Sequence, residues 1–182
     1  IYARMDIVEQ HLALVFHRYL YGEYNRRRLT ICINNTPIEE FDPFCISNKA
    51  TQMLRQEILR IDGHDIIIQP YILPHHSKLT AQSYDFYKER SDFVSNQGVY
   101  VYRNGRLMAW GDWFRIVAKG EATKLARVQI DFPNALDEHW KIDIKKSRAE
   151  PPKQVRDKMK QIIERITDQS KQVHVGRGKK IF

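Results

Sequence analysis

The residues best suited to chemistry form one short run, Ile142-Asp143-Ile144-Lys145-Lys146-Ser147-Arg148. Its alternation predicts a last strand over 140–145 with Ile142 and Ile144 facing inward. Such a strand delivers three cations at its exit, just before Pro151-Pro152. Cations held at the end of a rigid strand can reach an anion outside the domain. A lysine there acts as a point charge that stabilises a phosphoryl oxygen. The alternative is a solvated basic loop, which is what most short charge runs are.

Other candidates for chemistry are weaker. The chain has no G-x-x-x-x-G-K-[ST], G-x-G-x-x-G or G-x-S-x-G motif. Its 8 glycines are dispersed, so no glycine-rich phosphate cradle exists. His75 and His76 are adjacent in a loop. Neighbouring histidines point apart in extended chain and rarely share one zinc ion. His11, His17 and His64 read as structural or solvated, and spacing nominates no Cys-His or Ser-His-Asp set. Cys32 and Cys45 make neither a metal-ligand spacing nor a disulfide framework, which suits a reducing cytoplasm.

The elements that must position these residues are read from periodicity. Val8, Leu12, Val15, Phe16 and Tyr19 predict an amphipathic helix over 6–20, stopped by Gly22. Strands are expected over 29–34, 56–61 and 65–73, the last two joined by Asp62-Gly63-His64. The run Ile66-Ile67-Ile68 predicts burial on both faces. Thr80 caps an expected helix over 81–90. Asn104-Gly105 joins strands at 98–103 and 107–110, the strongest hairpin signal in the chain. A helical segment is expected over 112–117 and a strand over 125–132. Asn134 is expected to cap a helical turn. Pro151-Pro152 opens a last helix to about residue 168, with Val155, Met159, Ile162, Ile163 and Ile166 on one face. Two helical faces of this kind need a sheet to cover. The expected fold is therefore α+β, a two-layer sandwich of a mixed sheet with helices on one face.

Composition bounds the whole. With 182 residues, 42% hydrophobic and 29% charged, the chain fits one globular domain and excludes a disordered one. No apolar run approaches the roughly 20 residues of a membrane span. Residues 1–144 hold 18 basic and 18 acidic side chains, while 145–182 hold 12 basic and 4 acidic. The net +8 thus sits wholly at the C-terminal end. Residues 1–170 are expected to form the domain and 171–182 a mobile basic tail. In that tail Lys171, Arg177, Lys179 and Lys180 are candidates for nucleic-acid contact. The chain starts at Ile1, without Met or signal peptide, so we expect a piece of a longer polypeptide.

Three phrases carry a resemblance. GVYVYRNGRLMAWGDWF, ARVQIDFPNALDEHWKIDIKKSRAEPP and YILPHHSKL together resemble the second, transducer domain of GHKL-type ATPases. The likeness is greatest to bacterial MORC-like and MutL-like ATP-binding proteins, and the early segment HLALVFHRYL is similar to that branch as well. The resemblance implies a ribosomal-protein domain-2-like fold with a left-handed βαβ crossover. It implies that a loop lysine touches the ATP γ-phosphate in a neighbouring N-terminal ATP-binding domain. By resemblance that role falls on Lys145 or Lys146, with Lys146 preferred because Lys145 continues the expected strand. A strict MutL-like alignment places Arg148 there instead. ATP and Mg would be bound mainly by the absent domain, and this chain alone would hold no catalytic residue. The parent would be an ATPase of DNA processing or phage defence, with DNA and a second copy of the chain as further candidate partners. The competing reading is a stand-alone nucleic-acid-binding module that uses the basic C-terminal end.

Overall fold

The computed structural model describes residues 2–23 and 27–175. Two hairpins form the centre of the fold. β4 (Glu57–Ile61) and β5 (His64–Ile72) flank Asp62 and Gly63, which sit at φ 47° and 79°. β6 (Gly98–Arg103) and β7 (Arg106–Asp112) flank Asn104 and Gly105, at φ 49° and 82°. Paired positive φ angles match the right-handed twist of the flanking strands, which is why Asp-Gly and Asn-Gly occupy these turns. A short third hairpin joins β1 (Cys32–Ile33) to β2 (Thr36–Pro37) through Asn34 and Asn35, also at positive φ.

With β3 (Gln52–Met53) and β8 (Ala126–Phe132), these strands build a six-stranded mixed sheet. Its order is β3-β5-β8-β6-β7, with β4 also on β5. Every pairing is antiparallel except β6 with β8. That parallel pair is linked through β7 and a loop carrying a 3₁₀ turn at Glu121–Thr123. The crossover expected from the resemblance therefore takes another form, because its connection contains no α-helix among the described residues.

One sheet face meets α4 (Lys153–Val175). Val155, Met159, Ile162, Ile163 and Ile166 are buried there, as their spacing requires. They join Ile66, Ile68, Val99, Val101, Val128 and Ile130 in one core. Sheet and helix form the two-layer α/β sandwich. Burial of such side chains contributes about 1.5–3 kcal/mol each. At the start of β4, Glu57 holds both Lys158 and Arg165 of α4 at 3.2 Å.

The reverse face is closed as well. α1 (Tyr2–Val15) and α2 (His17–Tyr21) divide the expected first helix at Phe16, and Gly22 ends it at φ 90°. α2 reaches β8 through an ion pair of Arg18 with Asp131. α3 (Ala81–Arg90), capped by Thr80 as expected, places the Tyr87 hydroxyl 3.5 Å from Arg127 of β8. Arg18 of α2 and Tyr87 of α3 thus reach β8 from the side opposite α4.

Several local expectations are corrected. The strand expected over 29–34 shrinks to Cys32–Ile33. Ile67 is half-buried between buried Ile66 and Ile68, so the isoleucine run alternates. Val8 is 46% exposed, because no described element covers that part of α1. Residues 113–117 are not helical: Phe114 and Arg115 take φ 54° and 59°. A 3₁₀ turn runs over Asn134–His139, but Pro133 stands at its cap and Asn134 donates its backbone N–H to Asn104 instead. α4 continues past the expected end at about residue 168 to Val175.

Candidate functional site

The strand expected over 140–145 ends earlier. β9 (Lys141–Asp143) turns at 144–147 and returns as β10 (Arg148–Glu150), a hairpin outside the main sheet. Pairing places Asp143 opposite Arg148, Ile142 opposite Ala149 and Lys141 opposite Glu150. Ile142 and Ala149 are the inward pair, half-buried and buried respectively. Ile144, expected inward, is 61% exposed because it belongs to the turn.

The turn is braced at three points. Asp143 Oδ1 accepts the Lys146 N–H at 3.1 Å, Ile144 O accepts the Ser147 N–H at 3.3 Å, and Ser147 O accepts the Trp110 N–H of β7 at 3.3 Å. Ser147 itself sits at φ 50°, which closes the turn. Both lysines therefore ride on a turn, not on a strand, and the structural ground for preferring Lys146 disappears. Arg148 lies one step into β10. Lys145, Lys146 and Arg148 are all exposed, and none makes an ion pair among the described residues. Three unpaired cations on a short braced hairpin can meet an anion without first breaking an ion pair or ordering the backbone of the turn.

The remaining sequence candidates lie elsewhere. Lys171 falls within α4, and Arg177, Lys179 and Lys180 lie outside the described residues. His75 and His76 stand at a 3₁₀ turn (His76–Lys78), with ring centroids 4.0 Å apart. No group of three or more His, Cys, Asp or Glu that could hold a metal occurs among the described residues. No helix among them is long and apolar enough to cross a membrane.

Sequence reasoning missed the buried polar network on the reverse sheet face. His17 shares a 2.6 Å hydrogen bond with the Tyr102 hydroxyl, and Arg18 lies over the Tyr102 ring at 4.9 Å. Arg18 also reaches Glu23 at 3.1 Å. Further along β8, Arg127 is fully buried. Its guanidinium donates to Lys124 O at 2.8 Å, Ala126 O at 2.9 Å and Phe93 O at 3.2 Å, yet no carboxylate pairs with it among the described residues. The signal was the alternation of Arg127, Gln129 and Asp131 with apolar neighbours, which reads equally well as a solvated face.

Burial, and next the Arg18 charge, push the His17 imidazole down to about 3. His17 is then neutral when folded and takes up a proton when unfolded. That favours unfolding as pH falls below the ordinary histidine value of about 6.5. The stabilisation is complete above that value and declines toward pH 3, so about 2 kcal/mol is lost by pH 5. Asp42, whose carboxyl burial raises, changes in the opposite sense and offsets part of the loss at lower pH. Urea unfolding at pH 7 and pH 5 measures the difference. A His17→Gln variant should be less stable at pH 7 and lose most of this slope; an unchanged slope contradicts the assignment.

No protein-family model, no curated protein and no solved structure matches the chain.

Proposed function

We propose that the chain is the transducer domain of a larger GHKL-type ATPase, with the β9–β10 hairpin as its γ-phosphate contact. The observation that carries this reading is the braced turn presenting Lys145 and Lys146 unpaired, with Arg148 beside them. The three motif phrases and the α+β sandwich support it. Lysine ammonium groups suit phosphoryl oxygens as point charges, and the planar Arg148 fork suits two oxygens at once.

The hairpin fits a phosphate and not a metal. In this reading Mg and its ligands belong to the ATP-binding domain. That domain would also supply the group that activates water. The role left to this chain is to stabilise charge on the terminal phosphate and to read its presence. ATP offers that phosphate and ADP does not. Only such a differential contact can shift the balance between two domain arrangements. The bond from Ser147 O to Trp110 couples the turn to β7 and so to the whole sheet. The test is lysine labelling of the full-length protein with and without a non-hydrolysable ATP analogue. At least one of Lys145 and Lys146 should be shielded by the analogue and not by ADP.

Action of the parent in DNA processing or phage defence belongs to the same proposal. The second reading, a nucleic-acid-binding module, keeps support from the excess positive charge at 145–182.

A further inference from the structure

A second cationic site lies away from the hairpin. A cleft of about 270 Å³ opens between the 3₁₀ turn at His76–Lys78, α3 and the chain entering β8. Its aromatic wall is continuous. The Tyr84 and Phe93 rings lie nearly parallel, 16° apart with centroids at 6.2 Å, and Phe93 stacks on buried Tyr87 at 4.8 Å. Around that wall stand His75, His76, Lys88 and Lys124.

Arg127 adds a fixed charge beneath. Its guanidinium bonds the carbonyls of Phe93 and Lys124, both of which line the cleft. It lacks a carboxylate partner among the described residues, and a charge in low dielectric is felt over several ångströms. Among the described residues, Asp92 is the only carboxylate lining the cleft. It is held by hydrogen bonds from Ser95 and is drawn to lower pKa chiefly by them and partly by Arg127. Glu121 is engaged with Lys124 at 2.7 Å. Positive charge therefore exceeds negative: Lys88, Lys124 and Arg127 stand against Asp92 and Glu121.

We propose that this cleft binds a phosphomonoester attached to an aromatic ring, as in a mononucleotide. The ring lies against Tyr84 and Phe93 while the phosphate meets Lys124 and Lys88, whose ammonium stands 5.6 Å from the Tyr84 ring centroid. Apolar walls with a few convergent polar groups are the usual make-up of small-ligand sites. Aromatic stacking beside cations is how nucleotides are held without base-specific contacts. The inference stands apart from the hairpin proposal, since the two sites share no residue.

The test is calorimetric titration of the chain with AMP, adenosine and inorganic phosphate. AMP should bind saturably with a dissociation constant of about 1 mM or tighter, and each half-ligand at least tenfold more weakly. A Lys88→Glu, Lys124→Glu variant should lose at least tenfold in AMP affinity with its melting temperature preserved; Lys88→Gln, Lys124→Gln serves if charge reversal impairs folding. Tyr84→Ala should weaken AMP and leave phosphate binding unchanged. A Lys145→Ala, Lys146→Ala variant should bind AMP as the parent chain does. The proposal is overturned if AMP gives no saturable binding, if phosphate binds as tightly as AMP, or if only the hairpin variant loses affinity.

Discussion

Replacing Arg127 by alanine should destabilise the domain by about 4 kcal/mol, lowering the folded-to-unfolded ratio roughly a thousandfold. The side chain is fully buried and carries the bonds that tie the Phe93, Lys124 and Ala126 carbonyls together. Its loss leaves those acceptors without a donor, at about 1–3 kcal/mol for each that water cannot reach, and opens a cavity beneath Tyr87 and Tyr100. Arg127→Lys keeps the charge and loses the fork, so it should recover only part of the stability. Arg127→Met fills much of the volume and removes the desolvated charge. It should land between lysine and alanine if the carbonyl bonds dominate, and above the wild type if the buried charge is a net burden. Urea unfolding of the three variants separates these terms. A loss below about 1 kcal/mol in Arg127→Ala would contradict the buried placement of the guanidinium.

Removal of both hairpin lysines should have the second large effect, on turnover and not on folding. In the full-length protein, Lys145→Ala with Lys146→Ala is expected to reduce ATP hydrolysis about a hundredfold, the scale for losing charge stabilisation at a reacting group. Both side chains are exposed and bonded to nothing that holds the fold, so the melting temperature should not change. The single variants decide between them: the braced turn positions both, and whichever single change accounts for most of the loss is the phosphate contact. Arg148→Ala is the third arm. Its place in β10 and not in the turn predicts a smaller effect. Equal turnover in all variants would remove the phosphate role.

What could be read beforehand follows from the range of each interaction. The hairpins at Asp62-Gly63 and Asn104-Gly105 were legible because positive φ at two residues is a local requirement. The α4 face was legible because its spacing depends on one helix and one sheet. The first helix was less so. His17 and Arg18 turn inward to Tyr102 and Asp131, partners far along the chain, and this breaks the simple apolar stripe. Beyond 112 the chain leaves β7 through two left-handed residues, Phe114 and Arg115, that no propensity foretells. Gly98 is a similar case: at φ 119° it lets Asp112 O approach to 2.7 Å of where a Cβ would stand, a closeness set by the strand pairing. The candidate site was legible as a run of cations. That it is a hairpin was not, because β10 has only three residues and its partner only three.

The central claim is that the hairpin reads the terminal phosphate of ATP. Its most direct measurement is the acetylation rate of Lys145 and Lys146 in the full-length protein, followed by mass spectrometry, with ADP or a non-hydrolysable ATP analogue at saturation. The account predicts that the analogue slows labelling of at least one of the two by tenfold or more, about 1.4 kcal/mol of protection, while ADP leaves both rates unchanged and other exposed lysines serve as internal controls. Labelling of both lysines at the same rate with analogue, with ADP and without nucleotide would contradict it.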